Sequence, residues 1–210
     1  MSQSTTDTIP GVSFNDSQFK LIGWKNKNDP TQYLRNNTHT WRVQNSAGED
    51  LLKFDMGAGY TVTNSDGKVI AKVGDGIAID EISEDEVNSG VIDYDEVVYS
   101  TILDEIILST DMNISGGGKI TRYDSKDTLI TLESNRIRQL LSLVYIADFI
   151  FPQKWKINSP EHGEVCTIRE DRHINPFSKP SKSINIKQRE KLSNIEIFAI
   201  MCLIAKMSTT

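Results

Sequence analysis

The chain has 210 residues, of which 38% are hydrophobic and 25% charged, enough to bury a sizeable core in the manner of an ordinary globular protein. A net charge of −6 disfavours nucleic acid, or an anionic membrane, as a partner for the surface as a whole. The opening MSQSTTDTIPG lacks the basic and apolar regions of a secretory signal peptide, so residues 1–17 are expected to form a disordered leader to a single domain at 18–210.

Along the chain, the first strand is expected at 19–24. Four hairpins follow, each an alternating arm, a turn and an alternating return. They are WRVQNSAGEDLLKF (41–54), YTVTNSDGKVIAKV (60–73), ITRYDSKDTLITLE (120–133) and WKINSPEHGEVCTIRE (155–170). Three share an aromatic start, Asn-Ser and a later Gly; the copy from Ile120 has Asp-Ser and no glycine. Asn, Asp and Ser open turns by bonding their own backbone, Gly supplies the positive φ that closes them, and period-2 alternation marks half-buried antiparallel arms. A true duplication and four unrelated hairpins of similar turn chemistry both fit. Shorter strands are expected at 77–79, 96–102, 106–108 and 183–187. In QLLSLVYIADFIF (139–151), polar residues recur at spacing three and Pro152 follows, which predicts an extra helix near 136–150.

The segment NIEIFAIMCLIAKM (194–207) is the most apolar window. Its 13 residues from Ile195 to Met207, interrupted by Glu196 and Lys206, are too few to span a bilayer, which needs about 20. Ser193 and Glu196 form a capping box, so the segment is a helix. It is apolar at every angle around its axis, and such a helix is enclosed on all sides. Many antiparallel strands around one enclosed helix predict a closed or nearly closed β-barrel of about 12 strands, a mainly β fold without open edges.

The hairpins 60–73 and 155–170, followed by a basic, proline-interrupted stretch and then by SNIEIFAIMCLIAKM, resemble the tubby C-terminal-like superfamily, in particular its LURP-one-related and phospholipid scramblase branches. The resemblance runs from about residue 19 onward. It implies a barrel of about twelve strands enclosing a hydrophobic C-terminal helix, and a module that holds phosphoinositide head groups with clustered cations. The proline-rich leader and cysteine cluster of scramblases are missing, so lipid scrambling is the least transferable activity. The stretch 73–118, with 12 acidic residues and no Lys or Arg, has no counterpart in the family pattern.

Residues 151–192 carry nine Lys/Arg against five Asp/Glu. Lys154, Lys156, Arg169, Arg172, Lys179, Lys182, Lys187 and Arg189 are the candidate anion or lipid contacts, weighed against ordinary exposed strand charge. In the acidic stretch, Asp75, Asp80, Glu81 and Glu84 are dense oxygen ligands without EF-hand spacing, so they are weak calcium candidates and no metal or cofactor is expected. EHGEVC (161–166) lacks the Pro-Cys-x-x-Cys of a zinc deaminase and reads as a hairpin turn; SGGGK (115–119) lacks the phosphate-loop pattern. No nucleophile motif appears, and Cys166 and Cys202 are expected as buried free thiols. The expectation is a non-enzymatic module in the cytoplasm or at the membrane periphery, without a transmembrane segment, binding anionic phospholipid head groups. The alternatives are a regulatory protein engaging a protein partner through 73–118, and a carrier of a small hydrophobic ligand. Self-association of the basic face with the acidic one is a further expectation for partners.

Overall fold

The computed structural model describes residues 9, 11–24, 40–56, 60–89, 97–112, 117–133, 154–171 and 181–208. Twelve strands form a closed antiparallel barrel: β1 (Gln18–Trp24), β2 (Thr40–Gln44), β3 (Asp50–Asp55), β4 (Thr61–Asn64), β5 (Val69–Val73), β6 (Val97–Ser100), β7 (Glu105–Met112), β8 (Gly118–Arg122), β9 (Thr128–Glu133), β10 (Lys154–Ser159), β11 (Gly163–Glu170) and β12 (Ser181–Ile186). Neighbours in sequence are neighbours in the sheet all the way round. β1 closes it by pairing β2 on one side and β12 on the other, with Lys20 opposite both Gln44 and Ser183.

All four expected hairpins are present, and the reason is local. Asn45 Oδ1 accepts from the backbone N–H of Ala47 (3.1 Å) and Glu49 (2.8 Å). Asn64 Oδ1 does the same for Asp66 (3.1 Å) and Lys68 (2.9 Å). Gly48 and Gly67 then turn the chain at φ +84° and +79°, where an L side chain is strained. A register shift beside each turn, at Val43/Gln44 and Val62/Thr63, absorbs the extra residue as a bulge.

The helix α2 (Asn194–Met207) occupies the lumen; the other α-helix among the described residues, α1 (Glu84–Asn88), is a single short turn. Ser193 and Glu196 make the capping box: the Glu196 N–H donates to the Ser193 hydroxyl, and the Glu196 carboxylate accepts the Ser193 N–H at 2.8 Å. Ten residues of α2 are buried, on every face, in one cluster with the inward side chains of the wall such as Leu21, Val43, Phe54, Leu108, Ile130, Ile157, Ile168 and Ile184. Each large side chain removed from water contributes on the order of 2 kcal/mol, so this cluster dominates the stability of the fold. A lumen filled in this way leaves no interior for the small-ligand carrier considered from sequence.

Three expectations change. Residues 77–79, expected as a strand, lead from one short 3₁₀ turn at Gly74–Gly76 into a second at Ile79–Glu81. Ile77 and Ile82 from this segment pack with Val97 and Tyr99 in a small second cluster, so packing overrode the β propensity of Ile-Ala-Ile. Residues 11–17, expected within the disordered leader, instead pack against the barrel: Phe14 is wholly buried, with its ring edge-on to Phe19 at 6.0 Å. Strand β7 runs through Met112 rather than stopping at 108. The expected helix near 136–150 lies outside the described residues.

The two barrel ends differ. The tight turns after β2, β4, β6, β8 and β10 share one end with the start of α2. At the opposite end, where α2 finishes, the longer connections leave and re-enter the sheet: Trp24 to Thr40, Val73 to Val97, Glu133 to Lys154 and Glu170 to Ser181.

Candidate functional site

The register of β10, β11 and β12 places Lys154, Lys156, Arg169 and Lys182 of the candidate cations on one wall. Lys154 at the start of β10 sits opposite Arg169 near the end of β11, both exposed, at the end with the long connections. Neither has an acidic partner among the described residues. Two steps along, Lys156 bonds Glu164 at 2.8 Å, and Lys187 reaches the other oxygen of the same carboxylate. These two ammonium groups hold Glu164 down to about 2, and the Glu164 hydrogen bond in turn raises Lys156. One carboxylate thus engages both cations. Lys20, not singled out from sequence, lies 3.6 Å from Asp171 on the same outer face. Asp171 also accepts from the hydroxyls of Ser181 (2.6 Å) and Ser183 (2.7 Å), which lower its pKa against the opposing effect of burial.

Arg189 belongs elsewhere, at the opposite end. Its guanidinium bonds the carbonyl oxygens of Phe14 and Leu192 and the Asn194 side chain, bracing the segment before β1 against the start of α2. Arg172 and Lys179 lie outside the described residues.

Lys182 differs from all of these. On β12 it shares strand parity with buried Ile184 and Ile186, so its side chain enters the barrel wall and is only 7% exposed. Its ammonium sits 4.9 Å from the Trp155 ring centroid and 5.9 Å from that of Trp41, and donates to Ser208 Oγ at 2.7 Å just beyond α2. Burial lowers Lys182 to about 8, opposed by the field of Glu170, its cross-strand partner on β11. The physical balance is unfavourable to the charge. Desolvating an ammonium costs several kcal/mol, whereas cation–π contacts return about 0.5–2 kcal/mol and the partial negative charge of a helix end about 0.3–1 kcal/mol. Beside it, Trp41 Nε1 is buried without a hydrogen-bond acceptor among the described residues. Lys206 of α2 reaches Thr110 Oγ1 at 3.3 Å at the same end. Trp41, Trp155 and Ser208 were not singled out from sequence. The signal that would have found this group was the parity of Lys182 with Ile184 and Ile186.

Glu81 is engaged by Lys72 and by the Ala78 N–H, and Asp80 and Glu84 are exposed. Asp75 falls in the first 3₁₀ turn. No group of three or more His, Cys, Asp or Glu suited to a metal ion occurs among the described residues. Cys166 and Cys202 are free and buried, and burial pushes the Cys166 thiol up to about 12. A cleft of about 630 Å³ at the tight-turn end is lined by Arg122, Asp127, Glu161, Lys191 and Glu196 among others, a mixture of charges with no single sign. Among the described residues no helix is long and apolar enough to cross a membrane.

Comparison of the chain with protein-family models, with curated proteins and with solved structures finds no match.

Proposed function

We propose that this barrel is a non-enzymatic module that holds an anionic phospholipid head group of the phosphoinositide type at the end carrying the long connections. The observation that carries the reading is the cross-strand pair Lys154–Arg169: two adjacent exposed cations without an acidic partner among the described residues, on a wall where Lys20, Lys156 and Lys187 are each matched by a carboxylate. Phosphate groups favour such paired donors, and each cation near an anionic bilayer contributes about 1 kcal/mol. The likeness of the closed barrel and filled lumen to the tubby-like pattern supports the same reading, with a place in the cytoplasm or at the membrane periphery. The test is co-sedimentation with phosphatidylcholine vesicles containing phosphatidylinositol bisphosphate. Binding should be retained at low salt, fall as salt rises, and be lost in Lys154→Glu/Arg169→Glu. Retention of that double variant equal to wild type would overturn the reading.

A second reading rests on the acidic segment. Asp80, Glu84 and Asp85 are exposed on the short turns that cover β6, where they suit a basic protein partner. Reversing these three charges while vesicle binding is absent, and finding a partner lost, selects it.

A further inference from the structure

Lys182 is the residue the proposed surface does not use. It is buried, and among the described residues it has no ion pair and one hydrogen bond, to a neutral hydroxyl, leaving two of its three N–H donors without an acceptor there. Trp41 Nε1–H is a further buried donor without an acceptor among the described residues, and its ring is one of the two that flank the ammonium. The half-buried Trp155 forms the other wall, and the neighbouring residue on its strand is Lys154. Unsatisfied donors on a buried ammonium are rare in a native interior, because each forfeits its hydration. A compact anion with several acceptor oxygens supplies what the buried ammonium lacks.

We propose that Lys182, between Trp41 and Trp155 at the α2-finish end of the barrel, anchors a phosphate monoester. The inference rests on the head-group reading in placing the ligand at this end, and deepens it by naming an anchor inside the wall distinct from the exposed pair. Glu170 across the strand and the C-terminal end of α2 limit how much positive field remains, so the site selects a strong multi-oxygen acceptor over a weak anion such as chloride. A phosphate could arrive on a lipid or on a soluble molecule, and the experiment separates the two.

The full chain is titrated with soluble inositol trisphosphate and, separately, with the phosphoinositide vesicles, reading tryptophan fluorescence and thermal shift. Wild type should respond saturably to the soluble phosphate. Lys182→Met, which keeps an unbranched chain between the rings, should weaken that response about tenfold or more. Lys182→Gln, retaining a donor without the charge, should fall between, and circular dichroism confirms that both fold. Lys68→Glu, which reverses an exposed charge on the β4–β5 turn at the opposite end of the barrel, should leave the soluble titration unchanged. If Lys182→Met binds both probes as wild type does, the anchor is wrong and the head-group reading stands. If wild type shows no response to soluble phosphate, the anchor is likewise overturned. If soluble phosphate binds through Lys182 but vesicles are ignored, the anchor holds and the lipid reading falls.

Discussion

Arg189 donates from Nε to the backbone carbonyl of Phe14, joining residues 175 positions apart in the chain. The same guanidinium bonds the Leu192 carbonyl at 2.8 Å and Asn194 Oδ1 at 3.1 Å. One side chain therefore holds the segment entering β1 against the start of α2. Arg189→Met should destabilise the protein by about 2 kcal/mol in urea titration, because three acceptors lose a charged donor at once. Arg189→Lys should recover only part, since an ammonium lacks the planar fork that reaches all three. Full recovery by lysine would show that charge, not geometry, is what matters there.

The lumen helix predicts a graded series. Ser193→Ala removes the cap and should cost about 1 kcal/mol. Phe198→Ala empties a wholly buried site and should cost about 3–5 kcal/mol. Removal of residues 195–210 should leave no cooperative unfolding transition, because the inward face of every strand loses its partner. A folded, monomeric barrel without the helix would contradict the central place given to α2.

Lys182 makes stability depend on pH with a defined sign. Its folded pKa, about 8, lies below the ordinary 10.5, so between these values the unfolded chain holds a proton that the folded one has released. Stability therefore rises with pH from about 8 to about 10.5, by up to roughly 3 kcal/mol, and the rise is absent in Lys182→Met. Chemical denaturation of both proteins across that window isolates the contribution of this lysine from the exposed ones. Parallel pH profiles for the two proteins would show that Lys182 is solvated in solution.

Glu164 binds two lysines at once, so removing its charge releases both. Glu164→Gln should increase retention on phosphoinositide vesicles by several-fold at low salt, through Lys156 and Lys187 joining Lys154 and Arg169. Unchanged retention would place the membrane contact away from this wall.

Both thiols are buried, and burial raises the pKa of each. In the native protein neither should react with a thiol-exchange reagent over minutes, and both should react at once in denaturant, because the thiolate is the reactive form. Rapid native labelling of one thiol would expose local opening around it.

Much of the architecture was legible because it is specified over a few adjacent residues. The Asn-Ser-x-Gly turns close on their own Asn side chains, Ser193 and Glu196 cap the helix between themselves, and strand alternation is a property of neighbours. The same local character explains the failure at 77–79: Ile-Ala-Ile has strand propensity, but what decides is the contact of Ile77 with Val97 and Tyr99, some twenty residues on. The burial of Phe14 was illegible for a similar reason, since its partners are Phe19 and the distant Arg189.

The cations show where that boundary falls. Eight of them looked alike as a basic stretch, because charge in a sequence carries no record of what lies opposite. Register between strands assigned two to Glu164 and left Lys154 beside Arg169 exposed; a crossing from one barrel end to the other turned Arg189 into a brace; parity sent Lys182 inward between two tryptophans that lie far from it in the chain. The sequence alone determined a β-barrel wound round an apolar helix, since periodicity and hydrophobic burial act on every residue independently. Only the tertiary structure decided which charges are free, because an ion's worth depends on its solvent and its partner, and both are supplied by segments remote in sequence.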